Sequence, residues 1–261
     1  MQSKHENILS FFVLVFLLSI PFWLLDTIYP IELLPGLPLS ALGVLVPTLA
    51  ACILVSRDQH FSGVLQLLKR SFDWKRIENK NWLLVAILIN PIIAVFAYGR
   101  MRASGIPIPN PRFVPLIALA LFIVFFVSAL AEEIGWTGYA TEILQSRWGI
   151  ITASILLGCV WSIWHFIPLL QAYRAPEWIA WWCLWTISLR MIMGWLYIHS
   201  GRSVFVAALF HTMINLCWQL FPIHGSFYDP RVFGLITLDV AIVILLIELI
   251  RMKNSLQAIQ S

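Results

Sequence analysis

The stretch FVPLIALALFIVFFVSALAEE, residues 113–133, holds nineteen residues without an ionisable side chain, then two adjacent carboxylates, Glu132 and Glu133. Nineteen residues at 1.5 Å rise span roughly 28 Å, close to the hydrocarbon thickness of a bilayer. The rest of the chain reads the same way. Seven further apolar segments of similar length are present, at 8–25, 39–56, 82–98, 150–168, 178–197, 204–220 and 232–250. The 261 residues are 60% hydrophobic and 11% charged, with mean hydropathy +0.85, whereas a soluble domain carries about 25% charged residues. The expected fold is therefore all-α: a polytopic membrane helical bundle of about eight transmembrane helices.

No polar stretch is long enough to act as a linker, so residues 1–261 are expected to form one integral membrane domain. The first segment has a long apolar run and no small-residue cleavage site after it, which marks it as an anchor and not a signal peptide. Lys and Arg set the orientation. With the N-terminus inside, the cytoplasmic side carries Lys4, Arg57, Lys69, Arg70, Lys75, Arg76, Lys80, Arg147, Arg202, Arg251 and Lys253. The other side carries Arg100, Arg102, Arg112, Arg174 and Arg231. Both termini are expected in the cytoplasm of a cell-membrane protein. Much of the bias comes from the second loop, whose residues 61–77 suit a basic amphipathic helix lying on anionic lipid. The net charge of +4 is thereby assigned to membrane lipids, and there is no nucleic-acid-binding motif. Cys52, Cys159, Cys183 and Cys217 all lie in apolar segments and read as small packing residues.

Charge inside a bilayer is costly and is functional by default. Besides the two glutamates, apolar segments hold His165 in WSIWH (161–165), and His211 and Asn215 in HTMIN (211–215). Depth tests whether these groups can meet. If the helix of residues 113–131 continues past the glutamates to Arg147, Glu132 lies roughly 22 Å below that end, His165 roughly 22 Å below Ile150, and His211 and Asn215 roughly 14 and 20 Å below Arg202. All four then reach similar levels. If the helix stops at Ala131, they cannot meet. A long or broken helix is therefore expected, with the glutamates buried. His211 and Asn215 share a face as i and i+4, as do Trp161 and His165. Glu132 and Glu133 point about 100° apart, so only one faces the histidines fully and the other needs a different partner.

The motifs Glu-Glu-Ile-Gly-Trp at 132–136, aromatic-x-x-x-His at 161–165 and His-x-x-x-Asn at 211–215 resemble, in order and spacing, those of the CAAX-protease and bacteriocin-processing (CPBP, or Abi) family of multi-spanning intramembrane endopeptidases. The resemblance covers residues 113–220, which would be the catalytic core. It implies that Glu132 acts as general base on a water with the help of His165, and that His211 and Asn215 stabilise the oxyanion. Glu133 and Trp161 would support them, and the substrate would be a membrane-associated peptide or protein. The family's first motif is often written Glu-Glu-x-x-x-Arg. Here Thr137 occupies the last position, which leaves open what would pair with the second glutamate or grip the substrate.

Alternatives remain at this level. Glu132, His165 and His211 are also a catalytic zinc set in residue type, although no His-Glu-x-x-His is present and Asn215 is a poor zinc ligand. The preferred reading uses no cofactor. A catalytically silent relative acting as a membrane binding or immunity protein is the second function class. A proton-coupled transporter is a weaker third, because no inverted repeat is visible. Arg190, alone in an apolar segment, is suited to binding a substrate carboxylate, snorkelling, or pairing with Glu133 or Glu142. Trp178, Trp181, Trp182 and Trp185 form one helical stripe, expected at the interface or facing lipid.

Overall fold

A computed structural model describes residues 7–260; Lys4 lies outside them, as does the side chain of Lys253. The chain is helical almost throughout. Its helices are α1 (Asn7–Ile28), α2 (Val46–Lys69), α3 (Asn81–Ala103), α4 (Pro115–Gly135), α5 (Glu142–Trp164), α6 (Phe166–Gln171), α7 (Pro176–His199), α8 (Val204–Leu220) and α9 (Pro230–Gln260). A two-stranded hairpin, β1 (Glu32–Leu34) with β2 (Leu37–Pro38), follows α1. Among the described residues, six helical runs are long and apolar enough to cross a membrane, and α8 is a shorter apolar helix. One of the six, Pro115–Trp164, is 50 residues long and contains most of two of the eight apolar segments. The eight segments of the sequence are thus all helical, in a multi-pass membrane bundle.

Proline places several helix starts. Pro47, Pro115 and Pro176 stand in the first turns of α2, α4 and α7, where a missing N–H costs nothing. The α4 helix is apolar on both sides. Leu116, Leu119, Ile123 and Val127 are exposed on its outer face, as suits lipid. Its inner face carries Ala118, Phe125 and Ala129 and ends in buried Glu132 and Glu133. The bundle is built by α7 packing between α5 and α9, and by α4 packing between α2 and α8.

As the depth argument requires, α4 does not end at the glutamates. It passes through a wide π-type turn, Trp136–Thr141, into α5. The chain reverses only at Gly149, whose φ of +73° is open to glycine at little cost. Gly135 has a different reason to be glycine. A Cβ there would stand 2.3 Å from the backbone carbonyl of Pro47, because α2 and α4 approach closely enough for the Thr48 hydroxyl to donate to the Ala131 carbonyl at 2.6 Å. Gly135→Ala is expected to destabilise the bundle by about 1–3 kcal/mol, the usual cost of overpacking. Thermal unfolding in detergent checks this, and an unchanged midpoint would contradict the close approach.

The expected amphipathic segment is present. After a bend at His60 the chain is helical again to Lys69 and continues as a 3₁₀ segment, Arg70–Arg76. Gly63, Leu67, Ser71 and Asp73 face inward, while Phe61, Phe72 and Trp74 are exposed beside Lys69, Lys75 and Arg76. Arg70 donates to the carbonyls of Gly138 (2.8 Å) and Arg202 (3.0 Å), to the Tyr197 hydroxyl (2.7 Å) and to Glu142 (3.3 Å). Asp73 accepts from Ser203 Oγ and from the backbone N–H groups of Val204 and Phe205, capping α8. The loop after α2 and the turn between α7 and α8 therefore lie at the same end of the bundle, in line with the grouping of Arg70 and Arg202 by charge. The four cysteines are unpaired and half-buried within helices.

Candidate active site

Four helices bring the polar residues of the sequence motifs together: α4 with Glu132 and Glu133, the end of α5 with Trp161 and His165, α7 with Arg190, and α8 with His211 and Asn215. Both glutamates and His211 are buried. The two carboxylates have different partners, as their angular separation requires. Glu133 is fully engaged. Its Oε1 meets His211 Nδ1 at 2.9 Å, and its Oε2 accepts from Arg190 Nη1 at 2.8 Å and from the Thr137 hydroxyl one turn away. Glu132 accepts one hydrogen bond at Oε2, from the Trp161 indole N–H at 3.1 Å. Its other oxygen has no hydrogen-bond partner within the described chain.

Trp161 is the hub. Its ring lies edge-on to His165 (centroids 5.0 Å) and His211 (5.2 Å), and the Arg190 guanidinium sits 4.0 Å from its centroid, a favourable cation–π position. His165 is the joint between α5 and the short α6. Its Nδ1 is 2.8 Å from the Trp161 carbonyl, so Nδ1 carries the proton in the neutral ring and Nε2 is left as the acceptor. Trp164 and Trp182 close around His165 at 4.7 and 5.0 Å. Asn215 is half-buried, one turn along α8 from His211, and no side-chain hydrogen bond among the described residues engages its amide.

Two expectations from the sequence are refined here. The tryptophan stripe does not all face outward: Trp182 and Trp185 are buried because α7 is wedged between α5 and α9, and Trp182 walls the site. The placement of Arg190 is now resolved in favour of Glu133. The zinc alternative asks Glu132, His165 and His211 to converge on one point. Among the described residues no three His, Cys, Asp or Glu side chains are grouped so that they could hold a metal ion.

Residues 113–217, which contain every residue of this cluster, match the family described as Type II CAAX prenyl endopeptidase Rce1-like. The chain is also 29% identical over 214 residues to CAAX prenyl protease 2 of Methanococcus maripaludis, covering 75% of this chain and 74% of that one. The matched part of the chain is similar to the CAAX prenyl endopeptidases of the CPBP family. Other relatives carry a different name. Lysostaphin resistance protein A of Staphylococcus epidermidis is 26% identical over 209 residues, covering 79% of this chain and 53% of the relative. The protein of that name from Staphylococcus aureus is 26% identical over 202 residues, covering 76% and 47%. The chain thus spans about half the length of these staphylococcal relatives.

Proposed function

We propose that this protein, like the CPBP family it resembles, is an intramembrane endopeptidase that hydrolyses a peptide bond in a membrane-associated peptide or protein. The observation that carries the reading is Glu132. It is a buried carboxylate with one oxygen held by Trp161 and the other unengaged, and both histidine rings pack against that same tryptophan. In the proposed reaction the free oxygen takes a proton from water, with His165 Nε2 as the neighbouring proton acceptor. The hydroxide attacks the carbonyl carbon of the scissile bond. His211, its Nδ1 against Glu133 at 2.9 Å, and the Asn215 amide are the groups that stabilise the new oxyanion in this scheme. The proton held by Glu132 and His165 then passes to the leaving amine as the C–N bond breaks. No metal takes part in this scheme. The protein is placed in the cell membrane with both termini cytoplasmic, and the end carrying Arg70, Glu142 and Arg202 faces the cytoplasm.

One feature favours the silent, binding-protein reading: Thr137 stands where the family motif often has arginine. Purified protein in detergent or vesicles, given membrane-anchored peptide reporters, separates the two. Cleavage is expected, together with less than one zinc per chain and full activity after chelation. Retained reporter binding without cleavage would replace the protease reading by the binding one. One zinc per chain, removable with loss of activity and restorable, would overturn the metal-free scheme and keep the protease.

A further inference from the structure

The motif arginine that position 137 lacks would have stood one helical turn from Glu133 and on the same face. In its place the Thr137 hydroxyl donates to Glu133 Oε2. The same oxygen receives a full charge from another helix, since Arg190 Nη1 lies 2.8 Å away with both side chains almost completely buried. The narrow void beside Thr137 is lined by Thr137, Thr141, Ser154 and Arg190. The cation that meets Glu133 therefore comes from α7 and not from its own helix. We infer that Arg190 on α7 is a positioning residue for the reaction, and that it fixes Glu133 and Trp161 so that Glu132 is presented for catalysis.

The inference rests on the endopeptidase reading and adds a division of labour to it. Two adjacent carboxylates in a dry site repel each other, and a cation on one of them offsets this. Arg190 is placed on Glu133 alone. Its guanidinium also lies against the face of Trp161, whose N–H is the only side-chain donor to Glu132 among the described residues. One side chain therefore sets the position of both glutamates, one by an ion pair and the other through an indole ring. Arg190 keeps two further nitrogens, Nε and Nη2, buried and without a hydrogen-bond partner in the described chain. The site tolerates that cost to keep this cation here.

The test transposes the charge. Arg190→Met, Arg190→Lys and the double variant Thr137→Arg/Arg190→Met are compared with wild type in the peptide-reporter assay. The Trp161 indole N–H resonance, assigned with Trp161→Phe, is followed in parallel. Arg190→Met is expected to lower kcat about 10²-fold, the cost of small misplacements near reacting groups, with KM unchanged, and to shift the indole resonance. The double variant should regain at least about tenfold in kcat and return the resonance toward its wild-type position. If Arg190→Met fails to fold, Arg190→Lys and the double variant carry the comparison, and both should retain at least about a tenth of wild-type kcat. Wild-type kcat in folded Arg190→Met, a double variant no better than Arg190→Met, or an unmoved indole resonance would overturn the inference. If wild type itself cleaves no reporter, the endopeptidase reading fails, and the indole resonance still decides whether Arg190 positions Trp161.

Discussion

Glu132→Gln is expected to abolish cleavage while leaving the bundle folded. The amide is nearly the same shape as the carboxylate, and its oxygen still accepts the Trp161 N–H that now reaches Glu132 at 3.1 Å. What is lost is the ability to take a proton from water. A fall of about 10⁴ is expected, the upper end of general-base effects. Asn215→Ala should be milder, at about 10²–10³, because it removes a single oxyanion donor. Single-turnover cleavage by purified, reconstituted variants measures both. Wild-type turnover in folded Glu132→Gln would remove this residue from the chemistry. A loss in Asn215→Ala as large as that in Glu132→Gln would show that the amide does more than steady an oxyanion.

Glu133→Ala should fail differently, by unfolding. This carboxylate is fully buried between Arg190 and His211. Its removal leaves a guanidinium in the interior with no counter-charge. Breaking a buried pair from one side costs about 3–5 kcal/mol, whereas Glu132→Ala forfeits one hydrogen bond, worth about 1–3 kcal/mol when its buried donor is left unpaired. Thermal unfolding in detergent is therefore expected to rank wild type first, then Glu132→Ala, with Glu133→Ala well below both. Equal midpoints for the two alanine variants would mean that the ion pair is not holding α4, α7 and α8 together.

The membrane span of each helix was legible because a bilayer leaves few ways to satisfy a backbone: a run of about twenty apolar residues is nearly a helix by necessity. The continuation of α4 was legible for a related reason, since only a helix running past Glu132 lets it meet His165. The division between Glu132 and Glu133 was not legible. Neighbouring residues on a helix differ by a rotation, and which one meets His211 depends on how α4 is turned against α7 and α8. The π-type turn was also hidden, because part of what occupies its open carbonyls is Arg70, 68 residues away from Gly138 in the chain. The tryptophan stripe of α7 defined a face correctly, but periodicity carries no sign for inside or outside when lipid and core are equally apolar. Arg190 stood out as a lone charge. Its choice of Glu133 over Glu142 follows from a packing angle that one sequence does not encode in any short pattern.

The buried ion pair has a consequence for how the protein is made. Glu133 precedes Arg190 by 57 residues and His211 by 78. At the usual pace of synthesis, about 5–20 residues per second, the acidic helix leaves the ribosome about 3–15 s ahead of the groups that will neutralise it. Two carboxylates must wait at the edge of a lipid phase where each is unwelcome by about 2–3 kcal/mol or more. They have only the neighbouring helices made before them for company. The helix is relieved when α7 and α8 arrive. Completing the membrane insertion of this chain and assembling its polar centre are then one event, and a nascent chain halted before α8 carries its own instability as a mark for removal.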